Sequence, residues 1–232
     1  MSTTLTTRLL SLSYPLSPSA PLPDGGHDTI IKATSRVEAG DISDTNLITF
    51  WNHAGTHMDG PAHVLAKVGP ISKHLPIEGL RLTRAAVVEV PCDDGRLITA
   101  EDFDHAAPFD RNCDIIFIRT GYSRFRAADP QRYRAANPGL HPSAAHWLLQ
   151  HCPNLKCLGI DTISVASLTN ADHLKAGIDA HKVLLGAQPP RFLIEDLNLN
   201  HDLSAIERVY VVPFMIEGID SCPCNVLVEC RQ

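Results

Sequence analysis

Along the chain, β-branched and other apolar residues come in short runs, each bounded by Gly, Pro, Asp or Asn. Residues 30–31, 47–51, 85–90, 115–119, 157–160, 192–194, 209–212 and 226–230 form such runs. Runs this short, closed by turn formers, predict the strands of a buried sheet. Helical periodicity is rarer. Ala144, Trp147 and Leu148 share a face over 143–151, and Ala180, Val183 and Leu184 share one over 180–187. Thr99, three residues before Asp102, predicts a helix N-cap. Pro-rich 15–23 and Gly/Pro-bearing 121–142 read as surface loops. With no repeat or low-complexity tract to mark a linker, residues 1–232 are expected to form a single compact α/β domain with a mixed sheet and short helices.

Composition narrows the function classes. A chain that is 44% hydrophobic and 20% charged is neither disordered nor fibrous. Its formal net charge of -6 offers no broad basic face to nucleic acid or anionic lipid. No uncharged apolar run reaches the ~18 residues of a membrane helix. The seven cysteines are odd in number and irregularly spaced, so they read as buried apolar residues of a reducing compartment, and a cytoplasmic protein is expected. Cys222 and Cys224 alone are too few thiolates to argue for a metal site. The Ser/Thr-rich N-terminus reads as a frayed end leading into a first strand.

Twelve histidines change the picture, because three of them fall in one short segment, His53-Ala54-Gly55-Thr56-His57-Met58-Asp59-Gly60-Pro61-Ala62-His63. In an extended strand, residues four apart are separated by about 13 Å, too far for two imidazoles to share an ion. His53 and His57 can therefore meet only if the chain turns at Gly55, which tolerates backbone angles other residues avoid. His57 and Asp59 need only an extended link with converging side chains. Gly60 and Pro61 then redirect the chain before His63. The spacing describes a bent loop around an ion and not a stripe on a regular element. Two imidazoles and one carboxylate suit a divalent ion such as Zn²⁺ or Mn²⁺, and three protein ligands leave room for water, as catalytic sites do. His63, just outside this set, is placed to carry a proton.

Every fixed position of the pattern H-x-G-T-H-x-D-x-P-x-H is met between His53 and His63, and in this the chain resembles the cyclase-like metal-dependent hydrolases, which include kynurenine formamidase and isatin hydrolase. The resemblance extends through Arg119-Thr120-Gly121, Pro138-Gly139-Leu140, Gly159-Ile160-Asp161-Thr162, His181-Lys182-Val183-Leu184-Leu185 and Glu195-Asp196-Leu197. It implies a swivelling β/β/α fold, commonly a dimer or tetramer, with a metal centre at His53, His57 and Asp59. It also implies a second ion completed by His181 and Glu195, and His63 as the catalytic histidine. Because Gln188-Pro189-Pro190-Arg191 lengthens the preceding stretch, the second carboxylate is either Glu195 or Asp196. The implied activity is hydrolysis of a small amide, aryl formamide or cyclic amide/lactone, with N-formylkynurenine the leading single substrate. A non-catalytic metal- or ligand-binding module and a metal lyase dehydrating a small hydroxy acid are the competing readings. The region 21–26 lacks the aromatic segment of the formamidases, which leaves the substrate open. Trp51 reads either as a pocket wall or as core.

Overall fold

The computed structural model describes residues 7–231; the frayed end expected at the N-terminus falls on residues 1–6, outside them. The strands are β1 (Thr7–Ser11), β2 (Ile30–Ser35), β3 (Thr45–Thr49), β4 (His57–Asp59), β5 (Leu80–Leu82), β6 (Ala85–Glu89) and β7 (Leu97–Ile98). They continue with β8 (Ile115–Arg119), β9 (Gly139–Leu140), β10 (Cys157–Ile160), β11 (Phe192–Glu195), β12 (Ile206–Pro213) and β13 (Ser221–Arg231). The helices are α1 (Ala100–His105), α2 (Phe125–Ala128), α3 (Pro130–Ala135), α4 (Pro142–His151) and α5 (Ala171–Leu185).

One mixed sheet runs in the order β5-β12-β13-β4-β11-β10-β8-β6, with β1 added along β13. Its β11-β10-β8-β6 part is parallel and the remainder antiparallel. The two ends of the order, β5 and β6, are separated in sequence only by Thr83 and Arg84, whose N–H groups both donate to the Asp114 carboxylate at 3.0 Å. The sheet is thereby curled nearly closed. Alternation along each strand then fills two cores. Ile116 and Ile118 of β8 face α1, α4 and α5 together with Leu158, Ile160 and Leu193. Ile115 and Phe117 face inward with Met58, Ile194, Val209 and Val226.

Most predicted strands and the helix over 143–151 form where the pattern places them. Three expectations are corrected. The runs at 30–31 and 47–51 do not join the buried sheet: β2 and β3 pair with each other as a separate hairpin whose side chains are almost all exposed, including Ile31 and Ile48. A run of apolar residues selects extended backbone but does not say what covers it. The helix over 180–187 is longer, starting at Ala171 because the Asn170 side chain accepts from the His173 N–H. The loop over 121–142 contains α2 and α3, anchored by the fully buried Tyr122 and Tyr133. The Thr99–Asp102 cap is present on α1, and all seven cysteines are buried and free. No helix among the described residues is long and apolar enough to cross a membrane.

Candidate metal centre

The bend at Gly55 forms as its spacing requires, with φ at +67°, in the left-handed region. It turns His53 back over His57, their ring centroids 5.0 Å apart. Beyond it the chain is more regular than a wrapping loop. His57–Asp59 is strand β4, paired on one side with β11 and on the other with β13, which corrects the expectation that no regular element takes part. Period-two alternation sends Met58 into the inner core and both His57 and Asp59 to the opposite face, beneath α5. Pro61–His63 is a single 3-10 turn that starts from Gly60 and lifts His63 to the edge of the site.

The same register settles which acidic residue of the pair 195–196 enters. Glu195 sits directly opposite His57 across the β4–β11 ladder, and its Oε2 lies 3.2 Å from His57 Nε2. Its Oε1 lies 3.3 Å from His181 Nε2 and accepts from the Val165 N–H at 2.6 Å and from Ser164 Oγ at 3.1 Å. Asp196 is turned away. It adopts φ +54° and binds Arg126 through two hydrogen bonds of 2.7 Å, with Tyr133 donating a third at 2.7 Å. Successive strand residues face opposite sides, so only one of the two can meet the imidazoles. His181, one helical turn beyond Gly177 on α5, is buried and not a helix-surface histidine.

Each imidazole has one nitrogen occupied away from the centre. His57 Nδ1–H donates to the Gly55 carbonyl at 2.9 Å, and His181 Nδ1–H to the Gly177 carbonyl at 2.7 Å. Their Nε2 atoms point at Asp59, 3.5 Å and 3.8 Å from its oxygens, and His53 Nδ1 lies 3.2 Å from Asp59 Oδ1. Yet His57 Nε2 and both oxygens of Asp59 are buried and make no hydrogen bond. Three orphaned polar atoms in one place are expensive unless something else satisfies them.

Electrostatics points the same way. Burial alone pushes the His53 imidazole down, but the adjacent Asp220 and Asp59 carboxylates carry it up to about 10. Burial likewise opposes charge on His57 and His181, and the neighbouring Asp59 and Glu195 carboxylates outweigh it, so both rise. Against the cost of burial, the imidazoles around Glu195 hold its carboxyl well below the usual range. Buried carboxylates thus draw positive charge to the centre. The donor set fits a divalent cation: His53, His57 and Asp59 bring three donor atoms within 4.8 Å of one another, as do Asp59, His63 and His181.

Asp220 and its support are what spacing did not reveal. Its Oδ2 lies 3.3 Å from His53 Nε2 and accepts from His63 Nδ1–H at 3.2 Å, while its Oδ1 accepts from Asn52 Nδ2 at 2.9 Å. It stands 157 residues beyond His63 at the head of β13, and a lone acid after a Gly turn carries no local signal. The period-two paired strand that follows is the one clue to its direction. An open cleft of about 470 Å³, walled by Phe50, Trp51, Asn52, Ile219 and Asp220, adjoins the centre. Trp51 is therefore a wall, tilted beside His53 at 5.1 Å between ring centroids. Gly26, from the segment that departs from the formamidases, backs this wall, since a Cβ there would meet Trp51 Cε3 at 3.0 Å.

Comparisons agree with this architecture. The family described as “Putative cyclase” matches residues 10–167, a span that includes His53 to His63 and ends before His181, Glu195 and Asp220. Cyclase-like protein 3 of Oryza sativa subsp. japonica is 24% identical over 88% of this chain and 73% of its own. An isatin hydrolase solved with the product analogue thioisatinate superposes with a TM-score of 0.77 at 18% identity, covering 97% of this chain and 93% of that one. Isatin hydrolase A from Labrenzia aggregata, bound to benzyl benzoate, gives 0.75 at 22% identity over 97% and 94%. At these identities the two structures speak for the fold.

Proposed function

The chain belongs to the Cyclase family, and from that membership and the geometry above we propose that it is a metal-dependent hydrolase of small amides. The proposed substrates are aryl formamides and cyclic amides, together with the isosteric cyclic esters (lactones), with N-formylkynurenine the leading single substrate. The observation that carries the reading is the convergence of His57 Nε2 and both Asp59 oxygens, buried and without hydrogen bonds, on the centre-facing nitrogens of His53 and His181. His53, His57 and Asp59 would hold a Zn²⁺ or Mn²⁺ ion, and Asp59, His181 and Glu195 a second where two bind. A divalent cation supplies Lewis-acid polarisation of a carbonyl and lowers the pKa of water.

The chain's own residues supply the rest. His63 is part-exposed beside the centre, its ring 4.4 Å from that of His53, and its Nε2 carries a proton from attacking water to the departing nitrogen or oxygen. Phe50 and Trp51 offer aromatic surface to an aryl or fused-ring substrate in the cleft. Asn52 and Asp220 form its polar end, next to the imidazoles.

Chelation is expected to abolish turnover of formyl-arylamines, cyclic imides and lactones, and Zn²⁺ or Mn²⁺ to restore it, read as formate release or ring opening. Unchanged turnover by fully metal-depleted protein refutes the reading. We further propose a cytoplasmic homo-oligomer, a dimer or tetramer. A two-stranded hairpin is marginal by itself in water, and both faces of β2–β3 carry exposed apolar side chains, Ile30 and Leu47 on one and Ile31 and Ile48 on the other.

A further inference from the structure

We propose that Asp220 is a positioning residue that fixes the tautomer of the His63 imidazole. Through one carboxylate oxygen it holds His63 with Nε2 free toward the substrate. The inference rests on the hydrolase reading for its kinetic consequence, but its structural content does not.

The argument comes from a rule the buried imidazoles already obey. His57 and His181 each spend Nδ1–H on a backbone carbonyl, Gly55 and Gly177, and this turns Nε2 of each toward Asp59 and Glu195, where it would face an ion. A carbonyl can only accept, so these two tautomers are fixed by the fold. For His63 Asp220 takes that part. His53 turns Nε2 to Asp220 Oδ2 at 3.3 Å and Nδ1 to Asp59 Oδ1 at 3.2 Å. His63 turns Nδ1 to the same Asp220 Oδ2 at 3.2 Å. A carboxylate has no proton to give, so His63 donates to it through Nδ1–H and its opposite nitrogen is left as the acceptor.

Asp220 is itself held in place. Asn52 Nδ2 donates to its Oδ1 at 2.9 Å, and Ser221 Oγ donates to Oδ2 at 3.0 Å. Its backbone carbonyl accepts from the Gly60 N–H at 3.0 Å, which ties it to the strand carrying Asp59. Without the carboxylate, His63 has no fixed partner at Nδ1 and can carry its proton on either nitrogen. Only one of those forms is a base toward the cleft.

The test is Asp220→Asn, nearly isosteric and only part-buried, in the zinc-loaded protein. Nitrogen-15 spectra of labelled histidine read the tautomer of His63 directly, with no substrate present. The wild type is expected to show the Nδ1–H form alone, and the variant a mixture of both. With a formyl-arylamine substrate, the variant's kcat per bound zinc should fall about 10- to 100-fold, the usual cost of losing an outer partner, with KM little changed. Asp220→Glu should recover part of the rate. A His63 that stays wholly Nδ1–H in Asp220→Asn overturns the proposal, and so does a kcat per bound zinc equal to the wild-type value. Should the wild type hydrolyse none of these substrates, the hydrolase reading fails, while the spectra still decide the role of Asp220.

Discussion

The centre has a floor and a rim, and they are built differently. The floor is His57, Asp59, His181 and Glu195, with 2%, 0%, 1% and 4% of their surface exposed, all on strands or a helix. The rim is His53, His63 and Asp220, with side chains 11%, 26% and 30% exposed, all outside the strands and α-helices. Burial makes the floor's unpartnered atoms, His57 Nε2 and both Asp59 oxygens, costly, so it is suited to gripping a cation and unsuited to exchanging protons. The rim touches solvent and has hydrogen-bond partners of its own, so it can pass protons to and from the cleft. Rigid elements thus carry the proposed holding groups other than His53, while His53 and the proposed proton carrier His63 stand on the rim.

Substitutions on either side should separate the two roles, and the floor should fail hardest. Asp59→Ala removes both orphaned oxygens and leaves the imidazoles without a shared anion. It should weaken metal binding by more than the ~10–100-fold that an outer partner costs, with activity lost alongside. Competition titration against a chromophoric chelator measures this. Retention of wild-type affinity would place the ion elsewhere. His63→Ala on the rim should do the converse: metal stoichiometry unchanged, and turnover down by about 10²–10⁴, the range for one general acid–base. The same variant separates an enzyme from a pure ion holder, which would lose little.

The local half of this division is legible in the sequence. Gly55 between two histidines, with Asp59 two residues on, implies the bend and the converging ligands before any fold is known. What the sequence leaves open is set by pairing across the sheet. The choice between Glu195 and Asp196 depends on a register, His57 opposite Glu195, that a one-residue slip would reverse. Asp220 is invisible for the same reason, since β13 delivers it from far along the chain to the side of β4. The hairpin shows the opposite failure. Its apolar runs give β-strands as predicted, but two strands that pair only with each other bury nothing, and no pattern within them distinguishes that from a place in the main sheet.

The finest probe of the comparison is the glycine where floor and rim join. Gly60 follows Asp59 with φ -102° and ψ 172°, angles open to any residue, so its role is one of space and not of backbone freedom. A Cβ there would lie 2.7 Å from the Asp220 carbonyl oxygen and 2.9 Å from Ile71 Cβ. Neither is the end of a flexible side chain, so the backbone at Asp220 must move away from β4. Gly60→Ala should therefore cost about 1–3 kcal/mol of stability by overpacking. It leaves every proposed ligand and proton carrier chemically intact. If the floor is self-sufficient, metal affinity should change by no more than a few-fold, because His57, Asp59, His181 and Glu195 are fixed by β4, β11 and α5. If the rim works through contact with Asp220, turnover should fall further than affinity does. Denaturant titration gives the first number, and metal competition beside steady-state kinetics gives the other two. Equal losses in affinity and turnover would mean that floor and rim are one unit, because displacing Asp220 would then have disturbed the ion site through His53.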